Sequence, residues 1–337
     1  MNKHYSVLLQ ESIEGLHIQH DGIYVDGTLG RGGHSCEILK QIPDGYLYAF
    51  DRDASAIEES TPRLLQVADN FTCIHSPFSH LKEELSAYGV NRIDGLVLDL
   101  GVSSPQFDEA ERGFSYRFDA PLDMRMDQSQ ALNAYEIVNT WSYQDLVKIF
   151  YTYGEETFAK QIARNIEKKR IDKPIRTTFE LVDVIKASLP AKVLNKKGHP
   201  AKKVFQAIRI AVNDELRELE EVLQEALQML NPHGRICVIS FQSLEDRIVK
   251  EAFQTASRPK QYDKRIPILP SDMEEAPYKL INKKANYRAR RRTDGEQPQS
   301  FSEIKNYRKD KVSNNGKGEI SKIVKEDSVS KVWQHCC

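Results

Sequence analysis

Short apolar runs alternate with amphipathic stretches through the first hundred residues. Ile23-Tyr24-Val25-Asp26, Tyr46-Leu47-Tyr48-Ala49-Phe50-Asp51, Phe71-Thr72-Cys73-Ile74-His75 and Gly95-Leu96-Val97-Leu98-Asp99 have the length and the β-branched and aromatic content of strands. Between them, stretches such as Ser35 to Gln41 and His80 to Tyr88 carry helical spacing. Near-continuous apolar strands separated by helices predict a parallel α/β sheet covered on both faces, with right-handed crossovers fixing most of the topology.

After Asp99 the pattern changes. From about residue 107 to 205 no strand pattern appears, whereas helical periodicity does, with capping-box starts at Ser142-Tyr-Gln-Asp145 and Thr177-Thr-Phe-Glu180. One long amphipathic helix follows, with Val204, Ile208, Ala211, Leu219, Leu223, Ala226 and Leu230 along one face, stopped by Asn231-Pro232-His233-Gly234. A further strand is predicted from Arg235 to Phe241. The sheet therefore resumes after the helical stretch, and the expected fold is a Rossmann-like α/β sheet interrupted by an all-helical insert. The expected boundaries are 1–106 for the first part of the sheet domain, 107–205 for the insert, 206–257 for the second part and 258–337 for a basic tail, partly irregular.

Charge sharpens this division. Residues 1 to 130 hold 10 Lys/Arg against 21 Asp/Glu, residues 160 to 203 hold 13 against 4, and residues 279 to 337 hold 15 against 7. An acidic front with two basic attachments suits a polyanion gripped by the basic parts, although a solvated helical face would give the same count. No apolar run approaches the roughly 20 residues of a membrane helix, and Met1-Asn2-Lys3-His4-Tyr5 lacks the layout of a secretory signal. Cys36, Cys73, Cys237, Cys336 and Cys337 show no C-x-x-C spacing, so reduced thiols and a cytoplasmic location are expected.

The first strand runs into Asp26-Gly27-Thr28-Leu29-Gly30-Arg31-Gly32-Gly33-His34, and helix-like sequence follows at once. Glycines there allow a tight turn and close approach to a ligand, although such a loop alone is also an ordinary turn. The second strand ends in Asp51-Arg52-Asp53, about 20 residues on, where a carboxylate can accept both ribose hydroxyls of an adenosine ligand. The dinucleotide fingerprint needs a glycine where Ser35 stands, and no glycine is followed by Lys-Ser or Lys-Thr. S-adenosylmethionine has no phosphates and needs backbone approach without an anion cradle. Phe78, after strand three, could stack on its adenine or simply pack in the core.

Strand four ends in Asp99-Leu100-Gly101-Val102-Ser103-Ser104-Pro105-Gln106, a turn expected at the ligand edge of the sheet. A sulfonium methyl is already electrophilic, so the protein mainly has to position a nucleophile in line, without a metal. Ser103 and Ser104 offer acceptors that could orient an exocyclic amine, and Asp99 could hold the donor or tune that amine; plain turn chemistry is the alternative. A C5-pyrimidine methyltransferase would need a thiolate, usually beside a proline, and no Pro-Cys pair exists. Nitrogen or oxygen methylation is favoured.

The strings Asp26 to His34, Asp99 to Gln106, Glu111-Arg-Gly-Phe114, Pro121-Leu-Asp-Met-Arg-Met-Asp127, Gly198-His-Pro-Ala201, Phe205 to Glu215 and Ser243-Leu-Glu-Asp-Arg247 strongly resemble the bacterial small-subunit ribosomal RNA cytosine-N4 methyltransferases, the RsmH or MraW family. The resemblance covers about residues 3 to 255. It implies a Rossmann-like S-adenosylmethionine-dependent methyltransferase sheet, and methylation of the N4 amine of a decoding-centre cytidine in 16S ribosomal RNA within the small subunit. It also implies that the helical insert helps recognise substrate. The family's donor contacts fall on Gly32, Gly33, His34, Asp51, Phe78, Asp99 and Gln106. Ser103, Ser104, Asp123, Arg125, Asn213, Asp214 and Ser243 sit in other family motifs, as active-site candidates or as caps and salt bridges.

The chain departs from the family at two places. Gln242 stands where the family usually has His, and the closing basic motif appears only as Arg288-Ala-Arg-Arg-Arg292. A homodimer is compatible with the sequence and not required by it. Competing readings are a methyltransferase for DNA or a small molecule, and an RNA-binding assembly factor without catalysis; the first meets a basic insert, the second an intact donor loop.

Overall fold

The computed structural model describes residues 8–196, 198–260, 276–281, 302–308, 311–312, 315–316 and 318–325; from 302 onward it describes the backbone. It divides the chain into two compact units, residues 1–101 with 217–329 and residues 102–216 with 330–337.

The first unit opens with α1 (Leu9–Leu16), β1 (Ile23–Asp26), α2 (Gly33–Leu39), β2 (Tyr46–Asp51), α3 (Ala54–Leu65), β3 (Phe71–His75), α4 (Leu81–Ala87) and β4 (Ile93–Asp99). The second comprises α5 (Ser104–Asp108), α6 (Ala134–Thr140), α7 (Tyr143–Thr152), α8 (Ala159–Asp172), α9 (Thr178–Ala187), α10 (Ala191–Leu194) and α11 (Lys202–Asn213). Then α12 (Glu215–Met229) leads back to the first unit, which continues with β5 (Leu230–Ser240), α13 (Ser243–Ala256), β6 (Tyr278–Leu280), β7 (Ser302–Arg308), β8 (Lys311–Val312), β9 (Asn315–Gly316) and β10 (Gly318–Lys325). No helix among the described residues is long and apolar enough to cross a membrane.

The main sheet has the order β3-β2-β1-β4-β5-β10-β6-β7, and the first five strands are all parallel. All four strands read from the first hundred residues are present. Successive side chains of a strand face opposite sides, and each side carries its own core. On one, Val25, Phe50, Leu96, Leu98 and Val238 pack with Leu81 of α4, Leu219 of α12 and Phe253 of α13. On the other, Tyr24, Leu47, Val97 and Ile239 pack with Leu16 of α1, Ile38 of α2 and Leu64 of α3. Because the chain runs from β1 outward to β3 and then returns to β4 on the other side of β1, the connections leaving β1 and β4 diverge. That divergence is where open α/β sheets take ligands.

In the second unit both expected N-caps form. Ser142 Oγ accepts from the Asp145 N–H at 3.2 Å, and Thr177 Oγ1 from the Glu180 N–H at 3.3 Å. Its core gathers Ile137, Leu146, Phe150, Ile162, Ile166, Ile185 and Ile208. A single isolated bridge, Pro121 with Thr177, is the only β pairing among its described residues.

Three details differ from the sequence reading. The long helix is two, broken at Asp214, whose φ of 51° is left-handed. Asn213, the last residue of α11, accepts from the Met126 N–H and donates to the Met124 and Arg209 carbonyls beside the break. Arg209 then spans the break to Glu215 with two bonds of 2.8 Å. The strand expected from Arg235 begins at Leu230, because Leu230 already pairs with Ile93 before the register shifts. The tail, read as partly irregular, contributes β10 parallel to β5 and β7 antiparallel to β10. Pairing with the edge of β5 supplies what local periodicity does not.

Candidate functional site

At the carboxyl end of β1, Asp26 is 1% exposed and organises the glycine loop. One carboxylate oxygen accepts the Thr28 N–H at 3.0 Å and the other the Ser35 hydroxyl at 2.7 Å, so the turn and the first helical residues hang from one side chain. Burial raises its pKa, against the lowering effect of those hydrogen bonds. The loop backbone is then tied to both neighbouring strands: the Gly27 N–H donates to Val97 of β4 and the Leu29 N–H to Phe50 of β2, each at 2.9 Å. Gly30 and Gly32 have φ of +49° and +70°, a region L side chains rarely adopt. A Cβ on Gly30 would meet nothing nearer than the Thr28 carbonyl at 3.8 Å, so the backbone there faces open space. Gly32 caps α2, and Gly33 and His34 are its first two residues.

Asp51 ends β2. Its Oδ2 accepts the Gly30 N–H at 2.8 Å and its Oδ1 the Asp53 N–H at 2.9 Å. Burial pushes its carboxyl up to about 6, against the lowering effect of those two bonds. Each oxygen retains a second lone pair. Beyond β3, Phe78 starts a single 3-10 turn and is partly exposed; a Cβ on Gly27 would stand 3.4 Å from the Phe78 Cβ. Asp99 ends β4, its N–H donates to Thr28 Oγ1 at 2.7 Å, and its Oδ2 lies 3.9 Å from Nδ1 of the buried His34. Gly32, Gly33, His34, Asp51, Phe78 and Asp99 are thus gathered at the carboxyl ends of four adjacent strands of the first unit.

This donor set fits an adenosine-bearing methyl donor. The two spare lone pairs of Asp51 match a vicinal diol, Phe78 is partly exposed while packing against the core, and the glycines bring backbone rather than phosphate-binding side chains to the ligand.

Gln106, Ser103 and Ser104 belong to the second unit. Gln106 is buried and its Oε1 accepts the Ser103 N–H at 3.1 Å, which closes the turn into α5. Ser104 opens α5, and its side chain lies outside the described residues. Asp123 and Arg125 hold each other: Nε and Nη2 donate to the carboxylate at 2.9 and 2.8 Å, while Nη1 donates to the Gln128 and Gln130 carbonyls. Burial of Asp123 opposes ionisation, but the hydrogen bonds and charge of Arg125 outweigh it and keep the carboxyl below its usual range. Asn213 and Asp214 form the helix break. His199, in the Gly198-His-Pro-Ala201 segment, stacks on Tyr116 with ring centroids 4.1 Å apart. Burial, then the charges of Lys186 and Arg117, hold its imidazole below the ordinary value. Ser243 is exposed at the start of α13, in the first unit.

The sequence reading passed over Asp26, Thr28 and the ion pair between Arg52 and Glu218, which joins the end of β2 to α12. The Asp26-x-Thr28 spacing is an Asx-turn signal that could have marked the first two; the third pairs residues 166 positions apart and leaves no local trace.

Residues 1–302 match the sequence profile of the MraW methylase family. Three proteins called ribosomal RNA small subunit methyltransferase H are similar to this chain. That of Exiguobacterium sibiricum is 56% identical over 274 residues, 81% of this chain and 88% of its own length. That of Limosilactobacillus fermentum is 55% identical, covering 83% and 90%, and that of Lactiplantibacillus plantarum 54%, covering 84% and 89%.

Proposed function

This chain belongs to the MraW methylase family, and from that membership we propose that it methylates the N4 amine of a decoding-centre cytidine in 16S ribosomal RNA within the small subunit. It is a methyltransferase of small-subunit ribosomal RNA, and its methyl donor is S-adenosylmethionine.

The observation that carries the donor assignment is the Asp51 carboxylate, fixed by Gly30 and Asp53 with lone pairs to spare beside an open glycine loop. We assign Gly32, Gly33, His34, Phe78 and Asp99 to the same ligand, and Gln106 by its sequence position after Asp99. The cysteines support nitrogen over ring-carbon methylation. Cys237 is fully buried in β5, and burial raises the pKa of Cys36 and Cys73, so none of the three is a ready thiolate.

When bound, the donor supplies an electrophilic methyl on a sulfonium. The chain's task is orientation, because the amine lone pair is delocalised into the cytosine ring and must be turned toward the methyl carbon. Asp51, Phe78 and the glycine loop would hold the donor, which would supply the methyl carbon to the amine with the C–S electron pair left on sulfur and one amine proton lost. Ser103 and Ser104 are assigned to orienting that amine, and the exposed lysines of α8 to α10 to RNA phosphates.

The test is transfer of labelled methyl to purified, unmodified small subunits, with naked RNA and DNA as controls and nucleoside mass spectrometry of the product. N4-methylcytidine on the subunit is expected. Methyl at another atom, or transfer to DNA instead, would overturn the proposal.

A further inference from the structure

The turn from β5 into α13 holds two buried polar atoms that no described residue satisfies. Ser240 Oγ is fully buried without a hydrogen-bond partner, and so is Gln242 Oε1, on a residue only 7% exposed. Gln242 keeps extended backbone, φ −141° and ψ 152°, so it continues the alternation of β5, and Ser240 and Gln242 fall on the same face. The turn lies beside the end of β4: Asp99 pairs with Ile239, and the Leu100 N–H donates to the Ile239 carbonyl at 2.9 Å. Buried polar atoms without partners are few in folded proteins, and two on one face at the ligand edge of a sheet indicate a ligand.

The chemistry of that ligand follows from Glu245. This carboxylate, 3% exposed, accepts the Phe241 N–H on Oε2 at 2.9 Å and the Gln242 amide nitrogen on Oε1 at 2.8 Å. With Glu245 ionised the carboxylate only accepts, so the amide turns its NH2 toward it, as the 2.8 Å contact from the amide nitrogen has it. The oxygen is then presented as an acceptor that cannot exchange places with the nitrogen. Such a group takes an N–H or O–H donor and rejects a carbonyl.

We infer that Gln242 is a substrate-specificity residue whose Oε1 accepts an N–H of the target base's exocyclic amine, selecting cytidine over uridine. This deepens the proposed function and rests on it. Cytosine offers an amine where uracil offers a carbonyl oxygen, so the fixed acceptor meets a donor in one case and another acceptor in the other. A neutral imidazole could serve in the same way, donating one N–H to Glu245 and presenting its other nitrogen as acceptor.

The experiment uses the full chain and purified small subunits, and begins with the wild type. Formation of a product other than N4-methylcytidine would refute the proposed function before any variant is compared. Given that product, Gln242→Met, close in shape but without the acceptor, should lower kcat/KM for the subunit about 10- to 100-fold, while the Kd for S-adenosylmethionine and the melting temperature hold. Gln242→His should recover much of that loss. Subunits carrying uridine at the target should compete poorly with cytidine subunits for the wild type and equally well for Gln242→Met. Retained discrimination in Gln242→Met, or a loss that follows the melting temperature and is not recovered by His, would overturn the inference.

Discussion

The backbone N–H of Gly30 donates to Asp51 Oδ2 at 2.8 Å, so the loop after β1 and the end of β2 are set by one hydrogen bond. A ligand held by Asp51 is thereby held against the glycine loop, and a change at either residue is felt at both.

Replacing Asp51 with Ala should weaken S-adenosylmethionine binding about 10- to 100-fold, the loss of charge-assisted hydrogen bonds of roughly 1.5 to 3 kcal/mol. Titration calorimetry measures this directly; unchanged affinity would remove Asp51 from the donor site.

The same carboxyl sets a pH dependence. Only the ionised form accepts from two hydroxyls, and burial raises its pKa from 3.8 to about 6, so donor affinity should fall as pH drops through about 6. For stability the sign is opposite. Between 3.8 and about 6 the folded state holds this proton more tightly than the unfolded chain, so the group's contribution declines as pH rises across that window. Asp51→Asn should abolish the inflection in donor Kd near pH 6.

Arg52 and Glu218 form an ion pair with side chains 13% and 9% exposed. Removing one partner, as in Glu218→Leu, leaves a buried charge and should cost about 3 to 5 kcal/mol. Replacing both with apolar residues should cost less than either single change, which urea denaturation of the three variants tests.

Asn213 serves as a brace. Its side chain serves Met124, Met126 and Arg209, so Asn213→Ala should destabilise the second unit by about 3 kcal/mol. Donor affinity should be unchanged, and a variant that kept its stability but lost methyl transfer would return Asn213 to the reacting groups.

Lys168, Lys169, Lys192 and Lys196 are exposed, whereas Lys203 is committed to the Glu155 carbonyl at 2.7 Å. Changing the four exposed lysines to Gln should flatten the salt dependence of RNA binding, by about 0.7 to 0.9 in slope for each phosphate left without its lysine. An unaltered slope would place the RNA surface elsewhere.

What could be read from the chain beforehand follows a physical division. β1, β2 and β3 are bounded as read, since each is a short apolar run between polar turns, although β3 at the sheet edge is only partly buried. The helix break at Asp214 escaped because the amphipathic face carries on across it; the partners of the neighbouring Asn213 lie some 90 positions earlier, at Met124 and Met126. The strands of the tail were equally hidden, since their pairing partners lie in β5 and in one another rather than in a local pattern. In the site, glycines and strand-end carboxylates were legible as types. The geometry that gives Asp26 and Glu245 their roles, burial with every oxygen engaged, was not.

Asp99 and Ile239 are neighbours in the sheet and 140 positions apart in the chain, separated by the whole of residues 102–216. During synthesis the first three strands and β4 emerge long before β5, so the half-sheet waits with the β4 side unpaired while the helical segment, continuous from 102 to 216, is already complete and free to fold. A chain truncated within α12 would keep the glycine motif and Asp51 aligned by β1, β2 and β4, and would lack the β5 strand that pairs with β4 up to Asp99.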